Sequence, residues 1–221
     1  KQRLKLYYLK SLTTMRFYQF YKIHCFIIFF SCSIHFSCKK GKEPISGFTV
    51  HQQKQNAFFQ DASKSPLTKK QLKSFKALPF FKLDSSFMVK AYLEKQKDEN
   101  FKDIPTSTER IAKQRVYGLA KMKIKGETIT LNIYQTESAF LNKLDNTLFL
   151  PFLDLTNGEN TYAGGRYLDL IIPDNDSLII DFNKAYNPYC AYNPKYSCPI
   201  VPSTNFIHVK VEAGVMYLKE N

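Results

Sequence analysis

A mainly β fold with a small α component at its N-terminal end (α+β) is what this sequence predicts, and three observations carry that prediction. From about residue 80 onward, apolar residues recur with a period of two. The runs are short and separated by clusters of Gly, Pro, Asn and Asp, which terminate strands. No helical run stands between consecutive strands, so the βαβ rhythm of a parallel sheet is missing. About nine short strands in a mostly antiparallel sheet, closed or nearly closed as a barrel or sandwich, is the expectation, with one or two helices preceding it.

Residues 50–79 are read as the helical segment. Val50 to Ser63 contains no Gly or Pro and is rich in Gln, Ala and Phe, and Phe58-Phe59 are placed to dock on the domain. Thr68 is an expected N-cap for a second helix, on which Leu72, Phe75 and Leu78 share a face. Residues 80–221 are read as a single β-rich domain. Its expected strands begin with Phe80–Leu83 and Phe87–Leu93. Val116–Lys125 and Thr128–Tyr134 then alternate on either side of Gly126-Glu127, a hairpin signal. Leu148–Phe152, Arg166–Ile172, Ser177–Phe182, Phe206–Glu212 and Val215–Lys219 complete the set, with Asp174-Asn175-Asp176 as a turn.

The N-terminal residues read as an address. Met15 to Lys22 is short and basic, Ile23 to Phe36 is a 14-residue apolar or small stretch, and Ser37-Cys38 leads into the polar run Lys39–Glu43. The pattern resembles a bacterial lipoprotein signal, in which Cys38 is lipidated and becomes the mature N-terminus. His35 stands where such signals carry an aliphatic residue, and Cys32 offers a second frame that strands Ile34 and Phe36 outside the apolar run. The stretch is shorter than the roughly 20 residues a membrane-spanning helix needs. Residues 1–37 are therefore expected to be an upstream extension plus signal, with 1–14 an over-extended start ahead of Met15. Residues 38–49 form a polar tether. The implied location is the cell envelope, with the membrane as a partner through the N-terminal lipid.

The formal charge of +13 suggests nucleic acid until it is located. Residues 1–143 hold 27 Lys+Arg against 10 Asp+Glu, whereas residues 144–221 hold 5 against 9. The excess is scattered Lys, not Arg and aromatics gathered on one surface, so it reads as a solvated face with no nucleic-acid partner. No cofactor fingerprint is present, and no spacing of His or Cys marks a metal site. No oligomeric state follows from the sequence.

Residues 148–202 concentrate Tyr, Asn, Asp, Pro and Gly, together with two of the five cysteines. The phrases Leu150–Thr156 (LPFLDLT), Thr161–Asp169 (TYAGGRYLD), Asp181-Phe182-Asn183, Asn187–Tyr192 (NPYCAY) and Cys198-Pro199 resemble the bacterial family catalogued as domain of unknown function 1684. Tyr117-Gly118 and Ser65-Pro66-Leu67 extend the likeness from about residue 65 to the C-terminus. Ile200-Val201-Pro202 departs from the Pro-rich continuation more usual in that family. The resemblance implies no established activity.

Three readings of these motifs stay open. In the first, a pocket built from Arg166, Tyr167, Asp169, Asp181, Asn183, Tyr186, Asn187 and Tyr192 binds a small polar or anionic ligand. Gly164-Gly165 lets the backbone approach the ligand, and the planar fork of Arg166 grips an acidic group. The alternative for Arg166 is an ion pair with Asp154, Asp169 or Asp181. In the second reading, a hydrolase-like enzyme uses Asp169, Asp181 or Cys190 with Arg166 as an anion clamp. In the third, the motifs only fix loops that close the barrel. Cys190 and Cys198 fall in a near-repeat, AYNPYC then AYNPKYSC, and in an oxidising compartment they are candidates for a disulfide. Of the histidines beyond the signal, His51 and His208, the latter sits in an expected strand where packing explains it better than catalysis does.

Overall fold

In the computed structural model, which describes residues 49–217, two helices lead into a sheet. They are α1 (Val50–Gln60) and α2 (Lys69–Ser74). Then come β1 (Met88–Lys95), β2 (Lys102–Pro105), β3 (Ile111–Ile124), β4 (Glu127–Thr136), the short helix α3 (Glu137–Leu141), β5 (Thr147–Asp154), β6 (Arg166–Ile171), β7 (Ser177–Asp181) and β8 (Phe206–Ile207). The signal-like stretch and Cys38 lie outside the described residues. No helix of the described residues is long and apolar enough to cross a membrane.

Both leading helices start in capping boxes, Thr49 with Gln52 and Thr68 with Gln71, so two otherwise unpaired N–H groups are satisfied at each start. Helix α2 stops at Ser74, earlier than its apolar spacing suggests, because the chain is already extended at Phe75. The Leu78 N–H is taken by the Asn56 side chain of α1 at 2.8 Å, a tertiary bond in place of a helical one. Phe75 and Leu78 still reach the apolar cluster beneath α1, together with Phe59, Phe80 and Val215.

The sheet runs β6-β5-β4-β3-β1-β7, with β2 on the first half of β3 and β8 parallel to β5; the other pairings are antiparallel. Strands β6 and β7 stand at opposite ends of this path, yet only residues 172–176 connect them. Six flat strands would set the ends roughly 24 Å apart, whereas this link reaches about 20 Å fully stretched. The sheet therefore curls into a half-barrel. Its seam is drawn together just beyond β7, where Tyr186 and Tyr167 exchange backbone hydrogen bonds of 3.0 and 2.9 Å.

Inward positions obey the period of two: Val89, Ala91 and Leu93; Ala120, Met122 and Ile124; Ile129, Leu131 and Ile133; Leu148, Leu150 and Phe152; Leu168 and Leu170. These side chains fill the interior of the half-barrel. Between β4 and β5 only Tyr134 and Phe149 register directly. The buried Asn205 substitutes for missing ladder bonds, accepting from Asn132 N–H at 2.9 Å and donating to the carbonyls of Asn132 (2.9 Å) and Pro151 (2.7 Å).

Several boundaries differ from expectation. The β3–β4 turn is centred on Lys125-Gly126, one residue earlier than Gly126-Glu127, because a two-residue hairpin turn of this hand needs positive φ at both positions. Phe80–Leu83 and Val215–Lys219 contribute only the bridge Phe80–Val215 among the described residues, and Phe206–Glu212 shortens to Phe206–Ile207. Strand β2 was not expected, since four residues ending in Pro105 show no alternation.

Candidate functional site

Arg166, the residue most expected to meet a ligand, is wholly buried. It starts β6 opposite Phe152, on the inward face it shares with Leu168 and Leu170. Its guanidinium pairs with the buried Asp154 and donates to the carbonyls of Ala213 and, at 2.8 Å, Val211, with the Phe152 ring 5.1 Å away. The ion-pair alternative with Asp154 therefore describes its geometry, and Arg166 is placed in the barrel interior, away from any anion at the surface. Gly165, at φ 90°, brings the chain into this position. A Cβ there would stand 2.8 Å from the Phe152 carbonyl and 2.7 Å from Val201, so the close approach is to the protein itself.

The neighbouring candidates divide by face. Tyr167 points outward, is buried under the loop that follows, and donates its hydroxyl to the Pro199 carbonyl; burial raises its pKa. Asp181 caps the turn after β7 by accepting from Asn183, and it meets Lys184 at 3.5 Å. Asn183 in turn bonds both backbone polar groups of Asp84. These three hold loops in place. Asp169, Tyr186, Asn187 and Tyr192 instead line a common cleft of about 470 Å³ between α1 and the outer wall of the barrel. His51, Lys54, Gln55, Phe58, Lys184 and Tyr189 complete most of its lining.

The cleft exists because α1 lies over residues 184–192. Phe58 stacks with Tyr189 at 5.9 Å, and Phe59 meets Tyr192 edge-on at 5.0 Å. Across it, the Tyr186 hydroxyl donates to Asp169 at 2.9 Å. Asp169 is open to solvent by area, but the walls around it deplete water. That desolvation raises its pKa above the ordinary carboxylate value, and the Tyr186 bond opposes the rise. Burial and the charge of Lys184 lower the pKa of His51, so the imidazole is neutral at pH 7. Three buried atoms of lining residues have no hydrogen-bond partner: His51 Nε2, Gln55 Oε1 and Asn187 Oδ1. Such atoms are costly when left unpaired, and native structures keep few of them.

Sequence reasoning missed His51, Gln55 and Lys184. The available signal was weak: His51 and Gln55 are four apart, hence on one face of a helix whose Phe58 and Phe59 had already been expected to dock. The duplicated Tyr-Asn-Pro units are not equivalent. Asn187 is buried and donates to Tyr192 and to the Met216 carbonyl, whereas Asn193 only accepts from Lys195 in a surface turn. Cys190 and Cys198 are adjacent and unbridged in this structure, the Cys190 N–H donating to the Cys198 sulfur at 3.2 Å. The thiols share a proton: the bond from Cys198 pulls Cys190 down to about 6 and pushes Cys198 up. Among the described residues, no group of three or more His, Cys, Asp or Glu is placed to hold a metal.

A curled β half-barrel with a capped helix laid over its seam, carrying a cleft on its outer wall, is the class that fold and site define. The chain belongs to the family described as "Protein of unknown function (DUF1684)", whose model matches residues 73–216. A similar solved structure is the NMR structure of an uncharacterised protein of Haloarcula marismortui. It is 30% identical, with a TM-score of 0.60, over 75% of this chain and 90% of that one. No curated protein matches the chain. The matched family residues begin after α1, so the barrel side of the cleft lies within them and His51 and Gln55 lie upstream.

Proposed function

We propose that this chain is an envelope lipoprotein whose β-domain binds a small polar ligand in the cleft between α1 and β6. The observation that carries the binding half is the set of three buried, unpartnered polar atoms, on residues from two separate segments, around one ligand-sized cavity. The site expected from Arg166 is thereby moved to the opposite face of the same strand. The test is NMR of the intact chain during addition of small molecules extracted from cell envelopes. Shifts at the side-chain amides of Gln55 and Asn187 are expected; an unchanged cleft contradicts the reading.

The envelope half is supported by Met15–Cys38, a basic, apolar and small-Cys succession. Cys38→Ala or globomycin should leave an unprocessed precursor, and normal processing refutes the lipid anchor. In that compartment Cys190 and Cys198 lose two protons and two electrons to an envelope thiol oxidant and form a disulfide. Closing this short loop stabilises by roughly 2.5 kcal/mol in the chain-entropy model. Alkylation of the protein isolated from envelopes counts the thiols; two reactive groups at these positions contradict the bridge.

A further inference from the structure

The wall of the cleft that meets the Phe58-Phe59 end of α1 is a single turn, and a pair of thiols stands between that turn and the barrel. Residues 188–193 close on themselves. The Ala191 N–H donates to the Pro188 carbonyl at 3.0 Å, and those of Tyr192 and Asn193 donate to the Tyr189 carbonyl at 3.0 and 3.1 Å. The turn carries Tyr189 and Tyr192, both lining the cleft, where they meet Phe58 and Phe59. Cys190 lies between them in the chain. Beyond the chain itself, side chains tie this turn down. The Asn187 amide donates to the Tyr192 hydroxyl at 3.0 Å, the Tyr217 hydroxyl donates to the Ala191 carbonyl at 2.9 Å, and the Cys198 sulfur accepts from Cys190 N–H at 3.2 Å.

Cys198 is held differently. Its N–H donates to the Ser107 hydroxyl at 3.0 Å, and its carbonyl accepts from the Ser107 N–H at 2.8 Å. Pro199 bridges to Thr106, and the Ile200 N–H donates to the Pro105 carbonyl at 2.9 Å. These bonds fasten residues 198–200 to the end of β2, every residue of which pairs with β3. One sulfur therefore belongs to the barrel edge and the other to the wall of the cleft. Cys198 is buried and Cys190 only half-buried, so an oxidant reaches Cys190 first. Its thiolate attacks one sulfur of a disulfide oxidant and expels the other as a thiolate. The Cys198 thiolate then displaces the oxidant from Cys190 and closes the bridge. Two electrons and two protons leave with the oxidant, which ends as a pair of thiols, and a dithiol reductant reverses both steps.

We propose that Cys190 and Cys198 form a redox latch on the cleft. The disulfide fastens the wall carrying Tyr189 and Tyr192 to the β2 edge and holds the cleft in its binding shape; the dithiol releases it. This step rests on the ligand-site and disulfide readings above, and a wall fixed before binding spares the ligand the cost of ordering it. Amide hydrogen exchange on the intact chain, in oxidised and in reduced dithiothreitol, tests the latch. Exchange at Tyr192, Asn193 and the amides of α1 is expected to be about tenfold slower in the disulfide form. Cys190→Ala, which cannot bridge, should match the dithiol form in both buffers. The envelope extract should shift the side-chain amides of Gln55 and Asn187 at about tenfold greater dilution in the disulfide form. Equal exchange in the two forms overturns the latch and leaves the ligand site to its own test. Thiols that stay unbridged in the oxidised buffer overturn the latch and the bridge together. Slower exchange with an extract silent in both forms sinks the ligand site, and with it the claim that the latch serves binding.

Discussion

Two buried polar clusters lie on opposite faces of strand β6 and are hydrogen-bonded to different degrees. Inside the barrel, Arg166 pairs with Asp154 and donates to two carbonyls, all closed off from water. Outside it, beneath α1, His51, Gln55 and Asn187 each keep a buried polar atom with no hydrogen-bond partner. The first arrangement pairs its charge within the protein and leaves a single atom, Arg166 Nε, without a partner. The second leaves three atoms without partners around one cleft. In the proposed function a ligand completes it.

Removing polarity should have opposite effects at the two clusters. The largest effect is expected at the inner one. Arg166→Met leaves Asp154 as an unpaired buried carboxylate and should cost about 3–5 kcal/mol in chemical denaturation, much of it regained when Asp154→Leu is added. A loss below about 1 kcal/mol would show that the pair is not what holds this end of the barrel. At the outer cluster Gln55→Leu removes a buried, unpaired polar atom and should stabilise the ligand-free protein by about 0.5–2 kcal/mol while weakening binding. A loss of stability like that of Arg166→Met would erase the contrast.

The smallest effect is a pH dependence from His51. Its folded pKa lies below the unfolded value of 6.5, so the unfolded chain takes up the proton first. This contribution is fully present above about pH 6.5 and is lost as pH falls through the folded pKa. Asp169 acts with the opposite sign: its raised pKa makes stability fall as pH rises through the range just above its ordinary value of 3.8. Denaturation midpoints followed from pH 8 downward should show a decline near pH 6 that His51→Gln flattens.

Much of the fold was legible because alternation reports directly on burial. The β3–β4 hairpin and strands β5, β6 and β7 follow from it, as does the curled, mainly β architecture. What alternation does not report is pairing made by side chains. Asn205 bridging β4 and β5 leaves no periodic trace, and neither does the four-residue strand β2. The inward placement of Arg166 is also written in the alternation. Its spacing from Leu168 and Leu170 puts it on the core face, and the same parity puts Tyr167 and Asp169 outside. Half of the cleft was hidden for another reason. His51 and Gln55 arrive from α1, far from β6 in the chain, and only tertiary docking through Phe58 and Phe59 brings them beside Asp169 and Asn187.

The central claim is that the buried polar atoms of the cleft are kept unpaired for a ligand, and the imidazole of His51 reports on it most directly. Nitrogen NMR of the intact chain at pH 7.5, with and without the small molecules extracted from cell envelopes, reads its two ring nitrogens separately. A neutral ring with an unbonded Nε2 is predicted, with the Nε2 resonance moving to a hydrogen-bonded value when the extract is added. A ring already protonated or bonded at Nε2 in the ligand-free protein would contradict the account.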